Sequence, residues 1–67
     1  MYILDTDRMA ELMRLSGITQ KELAEKTHIT PCAISCYLSG RRTPRLNQFF
    51  KICEALDCTV IDLIIRI

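Results

Sequence analysis

Helix-start and helix-stop signals crowd this chain so closely that no element has room for more than about a dozen residues. Its only glycines are Gly17 and Gly40, and its only prolines are Pro31 and Pro44. Asp5-Thr6 opens a run with Met9, Leu12 and Met13 at helical spacing, and Gly17 suits the position just past its end. Thr19-Gln20-Lys21-Glu22 is a capping box: the Thr hydroxyl and the Glu carboxylate each satisfy a backbone N–H left free at a helix start. It opens a second helix to about Lys26, with Leu23, Ala24 and Thr27 facing inward. After the short break Thr27-His28-Ile29, Thr30 caps a third helix. Pro31 takes its first position, where a missing N–H costs nothing, and Gly40 ends it. Thr43-Pro44 repeats that signal for a fourth helix, Arg45 to Leu56, with Leu46, Phe49, Phe50, Ile52, Cys53 and Leu56 as one broad stripe. Thr59 caps a short fifth helix with Asp62 in its first turn. Tyr2-Ile3-Leu4 and Ile64-Ile65 are the segments able to pair as short extended pieces. The expected fold is all-α, a compact bundle of five short helices.

A chain of 67 residues holds one domain, 1–67, whose core is expected over about 5–63. At this size folding buries only about 60% of the unfolded surface, so stability is slender. With 49% hydrophobic against 25% charged residues, the composition is that of a folded chain. No apolar run reaches the roughly 18 residues of a membrane span, and Asp62 and Arg66 interrupt the longest candidate, Thr59 to Ile67. The opening residues lack the basic start and long apolar stretch of a secretory leader, so the cytoplasm is the expected compartment.

The formal net charge is +1, but it is unevenly spread. Every acid lies at or before Glu25 or at or after Glu54, while Lys26, Arg41, Arg42, Arg45 and Lys51 fall between. Within that segment the third helix separates into two faces at 100° per residue. Ala33, Ile34, Tyr37 and Leu38 point one way; Pro31, Cys32, Ser35, Cys36 and Ser39 point the other. The second face has no acid and no bulk, so this helix can press into a groove. A basic segment around a slim helix is the footprint of phosphate binding.

Gln20-Lys21-Glu22-Leu23-Ala24, Ile29-Thr30, Ile34-Ser35, Ser39-Gly40-Arg41-Arg42-Thr43-Pro44 and Ile52 to Val60 carry a wider likeness. From about Asp5 to Leu63 the chain resembles the Cro/CI-type (XRE-family) helix-turn-helix domain of phage repressors and bacterial transcriptional regulators, the lambda-repressor-like fold. The resemblance implies a dimer that docks helix 30–39 in the major groove of a pseudo-palindromic operator on double-stranded DNA. Thr30, Pro31, Cys32, Ser35, Cys36 and Ser39 match the positions that meet base edges. Gln20 and Lys21 match those that anchor phosphate at the second helix, and Arg41, Arg42 and Arg45 those that hold the backbone further on.

Three departures from the family pattern stand out. His28 replaces the usual turn glycine at a position that needs positive φ, which histidine tolerates better than most residues. Met13 and Leu38 stand where many relatives pair an arginine with an acid, and apolar replacement of such a pair is neutral or stabilising. The reading face carries no Arg, Lys, Gln or Asn, the bidentate readers of guanine and adenine. Each missing bidentate pair forgoes about 1–3 kcal/mol of discrimination, so DNA shape and dimer spacing are expected to supply much of the specificity.

Four cysteines at Cys32-x3-Cys36 and Cys53-x4-Cys58 lack the C-x2-C spacing of a zinc knuckle, and reducing compartments keep thiols free, so no structural metal is expected. Cys32 and Cys36 lie side by side on the groove face, where oxidation or metal capture would block docking; this leaves a thiol-sensing repressor as an alternative. Cys53 and Cys58 are expected in the core. In the tail, Val60, Leu63, Ile64 and Ile67 fit one inward stripe, which leaves Ile61 and Ile65 on another side. Segment 59–67 is therefore the expected dimerisation segment, with Ile61, Ile65 and Ile67 at the interface. Folding back onto Tyr2-Ile3-Leu4 is the competing use of these isoleucines. One histidine, no glycine-rich phosphate loop and no paired carboxylates argue against an enzyme, a cofactor or a small-molecule substrate. A protein-interaction module of the same fold, an antitoxin or antirepressor-like partner, is the rival from another class.

Overall fold

The computed structural model describes residues 2–66. A short strand, β1 (Tyr2–Leu4), leads into α1 (Thr6–Ser16), and the Asp5 carboxylate caps that helix by accepting the Arg8 N–H at 3.0 Å. At its far end Gly17 takes φ 68°, the left-handed conformation that any Cβ would strain, and its N–H returns to the Arg14 carbonyl at 3.2 Å. Both halves of the capping box form ahead of α2 (Gln20–Thr27). Glu22 N–H donates to Thr19 Oγ1 at 3.1 Å, and Thr19 N–H donates to Glu22 Oε1 at 3.0 Å. These bonds also hold the Glu22 carboxyl below its ordinary value. Next, α3 (Pro31–Ser39) starts with Pro31 at the first turn and the Thr30 hydroxyl accepting Ala33 N–H at 3.2 Å, and it stops at Gly40.

The helix count departs from expectation. Among the described residues four α-helices form, not five: Val60–Leu63 makes a single 3-10 turn, and Ile64–Arg66 then extends as β2. This strand pairs antiparallel with β1, in the register Tyr2 to Arg66, Ile3 to Ile65 and Leu4 to Ile64. The physical reason is a partner distant in sequence. Asp5 N–H donates to the Leu63 carbonyl at 2.7 Å, and β1 offers the tail a ladder that a continued helix could not use. A lone two-stranded ribbon is marginal in water, but buried Leu4 and Leu63 pin this one to the core.

The fourth helix keeps its expected bounds to within one residue at each end, but its start signal differs. Here α4 spans Leu46–Ala55 with Arg45 at its N-cap, so Thr43-Pro44 does not open it. Gln48 sets the start: its Oε1 accepts both the Arg45 N–H at 3.4 Å and the buried Tyr37 hydroxyl at 2.6 Å. Its inward stripe is narrower than expected. Phe49, Ile52, Cys53 and Leu56 are buried, while Leu46 is 65% and Phe50 54% exposed.

The core gathers Met9, Met13, Leu23, Ile34, Tyr37, Ile52 and Leu63 with their neighbours. Packing of α2 against both α3 and α4, and of α1 against α3 and the 3-10 turn, leaves one flank of α3 outward. Buried Ala24 and Thr27 let α2 approach closely. The Thr27 hydroxyl donates to the Leu23 carbonyl at 2.7 Å, so this polar atom carries no desolvation debt.

Candidate nucleic-acid interface

The outer side of α3 is as slim as its sequence requires. Pro31, Cys32, Ser35 and Ser39 are exposed and Cys36 is half-buried, whereas Ile34 and Tyr37 are buried. Two of the six expected base-facing groups are partly committed to their own backbone. Thr30 Oγ1 accepts from Ala33 N–H, and Ser39 Oγ donates to the Cys36 carbonyl at 3.1 Å. Pro31, Cys32, Ser35 and the flank at Cys36 are what the helix offers a ligand.

One carbonyl organises the exit from this helix. The Cys36 carbonyl also accepts the Arg41 N–H at 3.0 Å and the Arg42 N–H at 3.4 Å. With Gly40 at φ 79°, this closure fixes where the two arginines leave α3. Arg45 follows at the N-cap of α4, and all three side chains are exposed. Gln20 and Lys21 stand exposed in the first turn of α2. Among the described residues the only ion pair joins Arg8 to Glu11 within α1, so these cations are not spent on internal carboxylates.

The basic residues do not form one group, however. Lys26 and Lys51 line an open cleft of about 610 Å³ with Thr27, His28, Glu54 and Ala55, none of them on the α3 outer face or in the Arg41–Arg45 stretch. Lys26 and Lys51 therefore share a cleft with Glu54 that the Arg41–Arg45 stretch does not line, a grouping that linear charge could not give. His28 closes α2 at φ 58°, in the left-handed turn expected at this position.

The two isoleucines also part company. Ile61 is 80% exposed beside the 3-10 turn. By contrast, Ile65 is less exposed and lines a small cavity with Ile3, Gly40, Arg42 and Thr43, next to the arginine loop. Ile67 lies outside the described residues. The groove that sequence reasoning missed runs along Tyr2, Pro44, Leu46, Phe49, Val60 and Ile64, encloses about 300 Å³ and carries no charged side chain. Its signal was present in β1, but only the pairing of β1 with β2 brings Tyr2 to Leu46.

These features meet in a slim outward helix packed on a capped one and followed by unpaired arginines. A helix-turn-helix family model matches residues 9–63, which spans all four helices but for the start of α1. The chain belongs to the Cro/CI-type helix-turn-helix family. No match was found among curated proteins or among solved structures. This helix-turn-helix domain is thus of a family that binds double-stranded DNA and regulates transcription. Among its described residues no helix is long and apolar enough to cross a membrane.

Proposed function

We propose that this chain is a sequence-specific transcriptional repressor that binds double-stranded DNA as a homodimer, with α3 in the major groove. The observation that carries the reading is the exposed, acid-free face of α3, which leads directly into the uncommitted Arg41, Arg42 and Arg45. Gln20, Lys21 and the three arginines hold phosphate and set register, which gives affinity but little sequence choice. Pro31, Cys32, Ser35 and Cys36 lie against base edges. Apolar contact with thymine methyls and single hydroxyl bonds replace the bidentate readout that arginine or glutamine provides. Sequence-dependent groove width and the spacing of two half-sites supply the remaining specificity. A DNA partner sets the cytoplasm as the working compartment.

The second copy docks through the exposed Ile61 and the uncharged groove at Tyr2, Leu46 and Val60. That same surface supports one second reading, a protein-interaction module that uses the fold without DNA. Selection from random duplex DNA separates the two. The repressor enriches a pseudo-palindrome whose half-sites lie one helical turn, about 10–10.5 base pairs, apart. Recovery of no enriched sequence favours the interaction module.

A further inference from the structure

The four cysteines divide into two pairs with opposite surroundings. Cys53 is buried at the end of α4 and Cys58 half-buried after it, and the Cys58 N–H donates to the Cys53 carbonyl at 2.9 Å. Burial raises both thiols, and together with the neighbouring Cys53 and the Asp62 charge it pushes Cys58 up to about 11. These two sulfurs stay protonated, one buried and one half-buried. Cys32, by contrast, is exposed and Cys36 partly so, and both are free thiols on the outer side of α3.

We propose that Cys32 and Cys36 form a two-coordinate site for a soft monovalent cation, Cu(I), on the face of α3 that meets DNA. Three features of the fold support it. First, residues four apart on a helix place their Cβ atoms about 5–6 Å apart on one side, which lets two short thiols turn toward a shared ion. The helix fixes this spacing, and the four donors onto the Cys36 carbonyl hold that residue in place: Gly40, Arg41, Arg42 and Ser39 Oγ. Second, the ligand set is purely soft. Among the described residues no cluster of three His, Cys, Asp or Glu side chains forms, so Cys32 and Cys36 have no third ligand of these types, short of the four that a structural zinc takes. Thiolate sulfur selects Cu(I) over hard cations, and a filled-shell monovalent ion is satisfied by two sulfurs in line. Third, the first turn of α3 has no acidic residue, and the helix dipole there favours negative charge.

Binding converts two thiols and one Cu(I) into a bis-thiolate complex and releases two protons to solvent. No electron is transferred. The site passes from neutral to a net charge of −1 on a surface that must approach phosphates and base acceptor atoms. A filled site therefore opposes docking by bulk and by charge, which couples soft-metal exposure to release of DNA. This regulatory consequence rests on the DNA-binding reading, whereas occupancy of the site does not.

Anaerobic titration of the full chain with Cu(I), held in competition with a chromophoric chelator and without DNA, tests occupancy on its own. One equivalent is expected to bind, with sulfur-to-metal charge-transfer absorption and affinity that rises with pH as two protons leave. Cys32→Ser and Cys36→Ser, both at accessible positions, are expected to keep the wild-type circular dichroism and each lose the equivalent. Failure of the wild type to withdraw Cu(I), or retention of one equivalent by either serine variant, overturns the site. Addition of Cu(I) to a duplex-bound wild type is then expected to release DNA, and withdrawal of the ion by excess chelator to restore binding. Persistence of the metal-loaded wild type on DNA overturns the regulatory step and leaves occupancy intact.

Discussion

His28 shows how much one residue can carry in a chain this small. It ends α2 at φ 58°, where an L side chain crowds its own backbone at a cost of about 1–2 kcal/mol. Histidine pays less of this than most because short polar side chains tolerate the left-handed region. Removing the side chain should therefore help, although glycine adds freedom to the unfolded chain and returns part of the gain. His28→Gly is expected to raise stability by up to about 1 kcal/mol, and His28→Val to lower it by at least as much. Chemical denaturation of the two variants measures both signs, and a more stable valine variant would contradict the strained turn. Asp57, at φ 54° beyond α4, holds the second such position. Neither angle is written in side-chain periodicity; at His28 the family pattern of a turn glycine exposed it.

Elements were legible in this sequence wherever their ends are closed by neighbours within four residues. Asp5, Thr19, Thr30, Gly17 and Gly40 all act where the chain says they act, because a cap is a local bond. Bonds from further away were harder to read. The cap of α4 depends on Gln48, held by Tyr37 from eleven residues away, and the pairing of the tail with β1, one of two uses left open for its isoleucines, joins the two ends of the sequence. Acid titration probes the local caps directly. Bonds from Thr19 hold the Glu22 carboxyl below its ordinary value, and bonds from Thr59 do the same for Asp62. A carboxyl whose folded pKa is depressed contributes stability above its unfolded pKa and loses it as pH falls through the folded one. The melting temperature is expected to hold above the ordinary carboxylate range and to fall below it. A Glu22→Gln, Asp62→Asn double variant flattens that limb, because the amides cannot titrate. An acid limb unchanged in the double variant would assign the effect to other groups.

On the scale of the whole molecule, the candidate site was half legible. Helical phase gave the outer face of α3, since a nine-residue helix has little freedom to rotate against Ile34 and Tyr37. Phase did not reveal that Leu46 and Phe50 stay outside, because the breadth of the α4 stripe depends on what the tail covers. The resulting apolar surface locates the proposed second copy. Ile61→Asp and Leu46→Asp would each bury an unpaired carboxylate in that contact, a penalty large enough to weaken association at least about tenfold. Sedimentation equilibrium tests this, and variants that associate as the wild type does would move the interface elsewhere. The charge pattern divides in the same way: Lys26 and Lys51 line one cleft with Glu54, and the Arg41–Arg45 stretch that follows α3 does not line it.

That split allows a direct test of the assignment of α3 and its arginine exit as the DNA interface. The affinity for the selected duplex is measured across a salt series for wild type, Arg42→Ala, Arg45→Ala and Lys51→Ala. A plot of log affinity against log salt should fall with a slope of about −0.9 per phosphate held. Its magnitude should drop by about 1 for either arginine variant and stay unchanged for Lys51→Ala. A flat wild-type slope, or an equal loss for Lys51→Ala, would contradict the interface.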